Sequence, residues 1–502
     1  MSARVLSRIA AALSVLLALP SLAYPLGPDQ SVFLVIGRSI RAGLLPYVDV
    51  VDIKPPLIFA LYALTPTPLA VRVLDLAIVL AMARLVRELA RVLLPREPAP
   101  PLGLAWLLTL GLYFGAFDYW CTAQVETAQS TLALLALVLA ARSRPGLAGL
   151  AAAASMAFKP SILAVLPALV VWLPRAPSAA SSVRSRLSAT LRFGLAASIG
   201  LAVVALPFAL RAGSGARVAE VLDYLRIYAK DDFGLAFSIN GKRTGRFVTG
   251  FFVLLAVAVW RARNEDRARV RALGLAVSLV AVASLNVVAQ HKFLNYHWAV
   301  LTPFVATAML LAVRGFRRPG AQYTLALVWV VVGILPTRLE ATARSNYHRA
   351  YARHLVETAR SLPRGEHPSW DLYWGGFGND VGPLVRASER IALEAAPGDT
   401  LCVRGFRPLP YVLTGLSCPS RFPWECHLGI ESDRTELPPE LPATDVRARW
   451  TNEYRGALAA HPPTFVLTYP DWPVDVERLQ GLGYVEIQRE ESVSLWRSKL
   501  KP

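Results

Sequence analysis

The chain has 502 residues, of which 54% are hydrophobic and 18% charged, and it carries a formal net charge of +18. That much apolar material exceeds the needs of one soluble core and excludes an ordinary soluble domain. It also excludes a nucleic-acid footprint as the meaning of the positive charge, because most arginines fall in short connectors between long apolar blocks, where they report topology.

The first block, Ala10 to Ala23, follows Arg4 and Arg8. The poor small-residue pattern around Ser21 to Tyr24 favours a retained membrane helix over a cleaved signal peptide. Residues 24–68 then form a first outer loop with charges, prolines, aromatics and short amphipathic stretches. Further blocks run Leu69 to Ala83, Pro101 to Phe117, Thr127 to Ala141, Gly146 to Ala157, Ile162 to Leu173, Phe193 to Leu210, Phe247 to Trp260, Leu273 to Val288, Trp298 to Val313 and Tyr323 to Pro336. Together they predict an all-α polytopic membrane bundle of about eleven transmembrane helices over residues 1–336.

Charge orients the bundle. Arg84, Arg87 and Arg91, then Arg142 and Arg144, and later Arg269, Arg271, Arg314 and Arg317 mark alternate connectors as cytoplasmic. The opposite connectors hold Asp29, Asp49, Asp52, Asp118, Glu126, Asp223, Asp231 and Asp232, so the unusual chemistry lies on the outer face of a cytoplasmic (inner) membrane.

From residue 337 to 502 the composition turns polar and proline-rich, which predicts an extracytoplasmic α/β domain. A helix over Tyr347 to Ser361 and strands at Thr400 to Arg404, Phe465 to Thr468 and Val485 to Gln488 are expected there. Outside the cytoplasm a disulfide between two of Cys402, Cys418 and Cys426 is permitted, whereas Cys121 reads as a free thiol. His427 and His461 lack matching catalytic partners in the sequence.

The first outer loop carries the strongest signal: Asp29-Gln30, then Gly43-Leu44-Leu45-Pro46-Tyr47-Val48-Asp49-Val50-Val51-Asp52-Ile53-Lys54-Pro55-Pro56-Leu57. Three carboxylates and a lysine beside a membrane can take a proton from a hydroxyl and neutralise a leaving phosphate. Read without further context, the same residues are loop charges between turn-forming prolines.

The pattern as a whole resembles the first extracytoplasmic loop of the GT-C superfamily, in the branch of protein O-mannosyltransferase-like and aminoarabinose-transferase-like enzymes. The layout of a helical membrane part with a soluble outer C-terminal domain resembles that branch too. The resemblance implies an inverting membrane glycosyltransferase. Its donor would be a polyprenyl-phosphate-linked sugar, and its acceptor an envelope glycolipid, polysaccharide or protein. It makes Asp29 the loop-one acid and base, with Asp52 and Asp49 as rival carboxylates, and it puts Lys54, Lys159 and Lys292 at the donor phosphate. Tyr47, Glu126, Tyr296 and His297 take supporting places. Many relatives carry two adjacent acids where this chain has Asp29-Gln30. Asp49 and Asp52 are three apart rather than in Asp-x-Asp spacing, which leaves room for a divalent metal without requiring one.

Plainer readings stand beside these. Glu126 at a helix start suits the helix dipole, Lys159 at a helix end can snorkel, and interfacial aromatics such as Tyr296 need no ligand. Arg72 and Asp75, three apart on one helix, are expected to pair, while Asp231, Asp232, Lys242, Arg243 and Arg246 lie in a long loop with no ranking among them. The rival class is a polytopic transporter or lipid flippase, which would show repeated halves and broken helices at mid-membrane. A third is a binding protein whose working part is the C-terminal domain.

Overall fold

A computed structural model describes residues 2–161, 183–229, 256, 267–290, 294–341, 353–357, 359–360, 381–428, 445–469, 476–490 and 492–499. The expected blocks Ile162 to Leu173 and Phe247 to Trp260 (apart from residue 256) lie outside these residues, as do Asp231, Asp232, Lys242, Arg243, Arg246 and Lys292. Of the helix expected over Tyr347 to Ser361, residues 353–357 and 359–360 are helical.

The membrane part is helical: α1 (Ala3–Ala18) with a 3-10 turn (Leu19–Ala23), α2 (Pro28–Arg41), α3 (Pro56–Ala63), α4 (Pro68–Leu93), α5 (Leu102–Ala116), α6 (Val125–Ala141) and α7 (Pro145–Phe158). Then follow α8 (Val183–Leu210), α9 (Ser214–Tyr228), α10 (Arg267–Ala289), a 3-10 helix (Asn295–Leu301), α11 (Thr302–Val313) and α12 (Pro319–Ala341). Among the described residues four stretches are long and apolar enough to cross a membrane: Ala3–Ala23, Arg184–Leu210, Arg267–Val288 and Tyr296–Val313. The helices α5, α6 and α7 are shorter and apolar. On α8 the side chains Leu187, Leu191, Leu195, Ile199, Val203 and Leu206 are exposed, a stripe that water would penalise and lipid satisfies. The chain is an integral membrane protein.

Local chemistry explains the element ends. Thr67 caps α4 by accepting from the Ala70 N–H, and prolines occupy the first turns of α2, α3, α4 and α7, where their missing N–H costs nothing. Close helix contacts use glycine: a Cβ at Gly149 would meet the Phe193 carbonyl at 2.2 Å, and one at Gly37 would meet the Tyr62 backbone at 2.7 Å. The first outer loop is thus more regular than its sequence announces. Pro28 and Pro56 nucleate two helices in it, locked by edge-on contacts of Phe33 with Phe59 and Tyr62.

At one end of the bundle the connector arginines converge on two carboxylates. Arg87, Arg91 and Arg142 meet Glu88, while Arg269 and Arg314 meet Glu97. The other ends of α4 and α6 carry Arg72, Asp75 and Glu126.

The C-terminal part holds α13 (Val381–Glu394), β1 (Leu401–Val403), α14 (Leu409–Thr414), α15 (Val446–Ala460), β2 (Phe465–Thr468), α16 (Val476–Gly481), β3 (Tyr484–Arg489) and β4 (Ser494–Ser498). Its sheet has the order β1-β2-β4-β3, with β1 and β2 parallel and the other pairs antiparallel. This unit shares a core with the first loop: Phe33, Tyr47 and Phe59 belong to the same buried cluster as Val412, Phe422, Trp424 and Trp450. Arg38 donates to the carbonyls of Tyr411 and Val412, and the Val51 N–H donates to the Arg421 carbonyl. Arg421 also donates to the Tyr47 carbonyl at 2.8 Å and pairs with Glu220 and Glu453.

Two expectations need correction. All four cysteines are free thiols: Cys402 faces the Tyr454 hydroxyl, Cys418 the Phe422 carbonyl and Cys426 the His427 ring, so each sulfur already has a neighbour that is not a cysteine. Arg72 and Asp75 spend their hydrogen bonds elsewhere. Arg72 donates to the carbonyls of Tyr24, Pro25 and Tyr119 and to the Thr122 hydroxyl, and Asp75 accepts from the Tyr113 hydroxyl and the Ala123 N–H. Both hold the 117–124 connector in place.

Candidate active site

The connector between α2 and α3 folds back on itself. Tyr47, with φ of 69°, donates its N–H to the Val50 carbonyl, and Asp49 accepts from the Leu45 N–H at 2.7 Å. Asp49 is then fully engaged by a two-pronged ion pair with Arg211 at 2.6 and 2.8 Å, which makes it a clamp rather than a free base. The Tyr47 hydroxyl donates to the Lys54 carbonyl at 2.6 Å and so fixes the backbone that presents the lysine.

Lys54 sends its Nζ to 3.5 Å from the Tyr296 hydroxyl and 4.0 Å from Asp29 Oδ1. Asp29 comes from the first turn of α2 and also accepts from Gln124 at 3.3 Å. Both Lys54 and Asp29 keep about a fifth of their side chains open, so a substrate can reach them. Asp52 is wholly buried. Its Oδ1 accepts from the Lys54 N–H at 2.8 Å, and its Oδ2 lies 3.5 Å from His427 Nε2. His427 faces the Tyr224 hydroxyl through Nδ1 at 3.3 Å. The view that this histidine lacks a partner is therefore corrected, since Asp52 and Tyr224 reach it from the membrane part.

A second pair lies beside the first. Lys159, at the end of α7, meets Glu126, in the first turn of α6, at 2.5 Å. His297 Nε2 stands 3.9 Å from the same carboxylate oxygen, with the Tyr296 ring edge-on to the His297 ring at 4.6 Å. Asp29 feels the charges of Lys54 and Glu126, and Lys159 those of Glu126, Lys54 and Asp29. Tyr228, at the end of α9, joins the same cluster near Lys54.

The two central carboxyls are pushed apart. Burial raises Asp29 above its ordinary value, with Asp52 adding to the rise and Lys54 opposing it. Burial acts on Asp52 as well, but the His427 hydrogen bond and charge, together with Lys54, outweigh it and hold that carboxyl below its ordinary value. Asp29 is thus the more basic and the more accessible of the two.

The structure brings together Asp29, Asp52, Lys54, Tyr47, Glu126, Lys159, Tyr296 and His297, and diverts Asp49 to Arg211. Gln124, Tyr228 and His427 join them without having stood out in the sequence. Gln124 had a signal, being two residues before Glu126, whereas His427 had none nearby. Among the described residues no group of three or more His, Cys, Asp or Glu side chains is arranged to hold a metal ion.

No family model and no curated protein matches the chain. Solved structures do match, over 97% of this chain and 97% of theirs. ArnT from Cupriavidus metallidurans in the apo state superposes with a TM-score of 0.59 at 16% identity, and the same protein bound to undecaprenyl phosphate with 0.57 at 15%. At this identity the likeness is one of fold, and it agrees with the branch that the first loop resembles.

Proposed function

We propose that the chain is a glycosyltransferase that moves a sugar from a polyprenyl-phosphate carrier to an acceptor hydroxyl at the membrane surface. The observation that carries this reading is the pair of Asp29 and Lys54. A raised, accessible carboxylate and an ammonium stand 4.0 Å apart at the edge of a helical bundle, with the Glu126–Lys159 pair beside them. The fold supports the reading, because one of its neighbours was solved with undecaprenyl phosphate.

In the reaction, the acceptor oxygen attacks the anomeric carbon while Asp29 takes its proton, and the bond from that carbon to the phosphate oxygen breaks. The electron pair leaves on the phosphate, where Lys54 and Lys159 neutralise the growing charge. Attack on the face of the sugar opposite the phosphate would invert the anomeric centre, as the resemblance of the first loop implies. Asp52, ionised and fixed by His427, holds the Lys54 backbone in register. The site faces the extracytoplasmic side of the inner membrane in this reading, and residues 337–502 lie there too. Nucleotide sugars stay in the cytoplasm, so the donor must be one that crosses with its lipid.

The test is release of free polyprenyl phosphate from a labelled polyprenyl-phosphate sugar by the purified chain in nanodiscs, with envelope extract as acceptor. Label should pass to the extract as lipid phosphate appears. A chain that binds or translocates the lipid with no release of phosphate is a transporter, and the proposal fails.

A further inference from the structure

Gln129 lies in the second turn of α6 with no exposed surface, one turn on from Glu126. A primary amide between two apolar helices is costly unless its polar atoms are used. Its Nε2 donates to the Lys159 carbonyl at 2.8 Å and reaches Ser161 Oγ at 3.5 Å, whereas its Oε1 finds no donor among the described residues. Its main-chain carbonyl accepts from the Ser155 hydroxyl at 2.7 Å, which ties α7 back to α6. A leucine would fill the same space and seal the seam without burying a half-used amide, so the glutamine calls for a reason other than packing.

That reason lies in the residue it holds. Pro160 disfavours the helical conformation at Lys159 and leaves it extended, at φ of −164° and ψ of 116°, so α7 ends at Phe158 and the Lys159 carbonyl falls outside the helical ladder. Upstream, the Lys159 N–H closes the last rung of α7 on the Ser155 carbonyl at 3.2 Å; downstream, Gln129 takes the carbonyl. Glu126, three residues earlier and on the same face of α6, takes the ammonium at 2.5 Å. One helix thus grips the lysine twice, once by its side chain and once by its backbone. The two grips differ toward a ligand. An arriving phosphate competes with Glu126 for the ammonium, one anion for another, but offers nothing that replaces the donor on the carbonyl. Once the side chain has been given up, a four-carbon stem is located only as well as the backbone it starts from.

We propose that Gln129 is a positioning residue for Lys159: its buried amide fixes the lysine backbone so that the ammonium passes from Glu126 to the donor phosphate while the end of α7 stays in place. The proposal rests on the transferase reading, which puts Lys159 at that phosphate, and adds a residue that itself touches no substrate.

Undecaprenyl phosphate binding to the full chain in nanodiscs tests it, with Gln129→Met, Lys159→Ala, the double variant and Ser155→Ala. Gln129→Met keeps the volume and removes the donors, and it should weaken binding about ten-fold, the worth of one well-made hydrogen bond. Lys159→Ala should weaken binding at least as much, and in that background Gln129→Met should add nothing, because its effect runs through the lysine. Ser155→Ala breaks a tie in the same seam and should leave binding unchanged, which a merely structural role for Gln129 would not allow. Thermal unfolding reports the fold of each variant; should Gln129→Met not fold, Gln129→Asn, whose amide is drawn back from the carbonyl, is read in its place. The proposal is overturned if the Gln129 variant binds as the unaltered chain does, or if its loss persists in full on Lys159→Ala. It is equally overturned if Ser155→Ala loses as much, or if Lys159→Ala leaves binding intact. Failure of undecaprenyl phosphate to bind the unaltered chain sinks the transferase reading instead, and the two failures are read separately.

Discussion

His427 Nε2 lies 3.5 Å from Asp52 Oδ2, joining the C-terminal part to the connector between α2 and α3 through two buried side chains. Replacing His427 by Ala strips a wholly buried carboxylate oxygen of the polar side chain that faces it at 3.5 Å. Stability should drop by about 2 kcal/mol, the usual cost of losing a partner to a charged group. Thermal unfolding in nanodiscs measures this, and an unchanged midpoint would show that the pair is not coupled.

In the proposed reaction Asp29 is the base, and Asp29→Asn keeps its shape and removes its basicity. Turnover should fall by about two to four orders of magnitude while binding of polyprenyl phosphate survives. Lys54→Ala should weaken that binding as well. Near-normal transfer by Asp29→Asn would falsify the assignment and pass the role to Asp52.

The pH profile follows from the raised Asp29 carboxyl. A base works when deprotonated, so kcat/KM should rise with pH through an acid limb lying above the ordinary carboxylate range. The sign for stability is the reverse: because folding raises this pKa, ionising Asp29 costs folded-state stability as pH climbs through it. Transfer rates from pH 4 to 8 decide the matter, and a limb at or below the ordinary aspartate value contradicts it.

Gln30 occupies the place where many relatives of the loop-one pattern have a second acid, and its geometry explains the departure. Its amide donates to three carbonyls, a task that a carboxylate cannot perform. Gln30→Glu should destabilise the chain by about 2 to 3 kcal/mol or more, the cost of buried groups left facing repulsion. Gln30→Met should cost less than Gln30→Glu. Equal stability of the two variants, by thermal unfolding, would refute the explanation.

Topology is open to direct measurement. The arginines around Glu88 and Glu97 gather at one end of the bundle, opposite Glu126, which motivates an extracytoplasmic C-terminal part. In a chain with its native cysteines replaced, a cysteine at residue 461 should react with an impermeant thiol reagent in intact cells, and one at residue 91 should not. The converse pattern inverts the orientation.

Much of this was legible in the residues. Apolar blocks bounded by arginines announce helices because a bilayer allows little else, and the described helices coincide with nearly all of the expected blocks they cover. The strand at Phe465 to Thr468 was legible from its β-branched and aromatic run. Asp29 and Lys54 stood out because acid and base beside a membrane are rare. What stayed hidden depends on distance along the chain: His427 meets Asp52, and Arg407 meets Trp120, only after the two parts dock. Asp49 could not be told from Asp52 in the sequence, because the difference is Arg211, which arrives from the far end of α8. Lone polar residues such as Gln30 carry no periodic signal, although their buried amides decide a loop's shape.

Arg421 joins Glu220, Glu453 and the Tyr47 carbonyl in one knot, and Tyr47 in turn fixes Lys54. The consequence is one of timing. The residues that begin the site are made early in translation and those that tie it are made near the end, so a ribosome-bound chain that stops short of Arg421 carries its acid and its lysine on an untied loop. On the proposed reading, the lysine that meets the donor phosphate is therefore backed by its full set of contacts only once the last part to be synthesised has settled on the first.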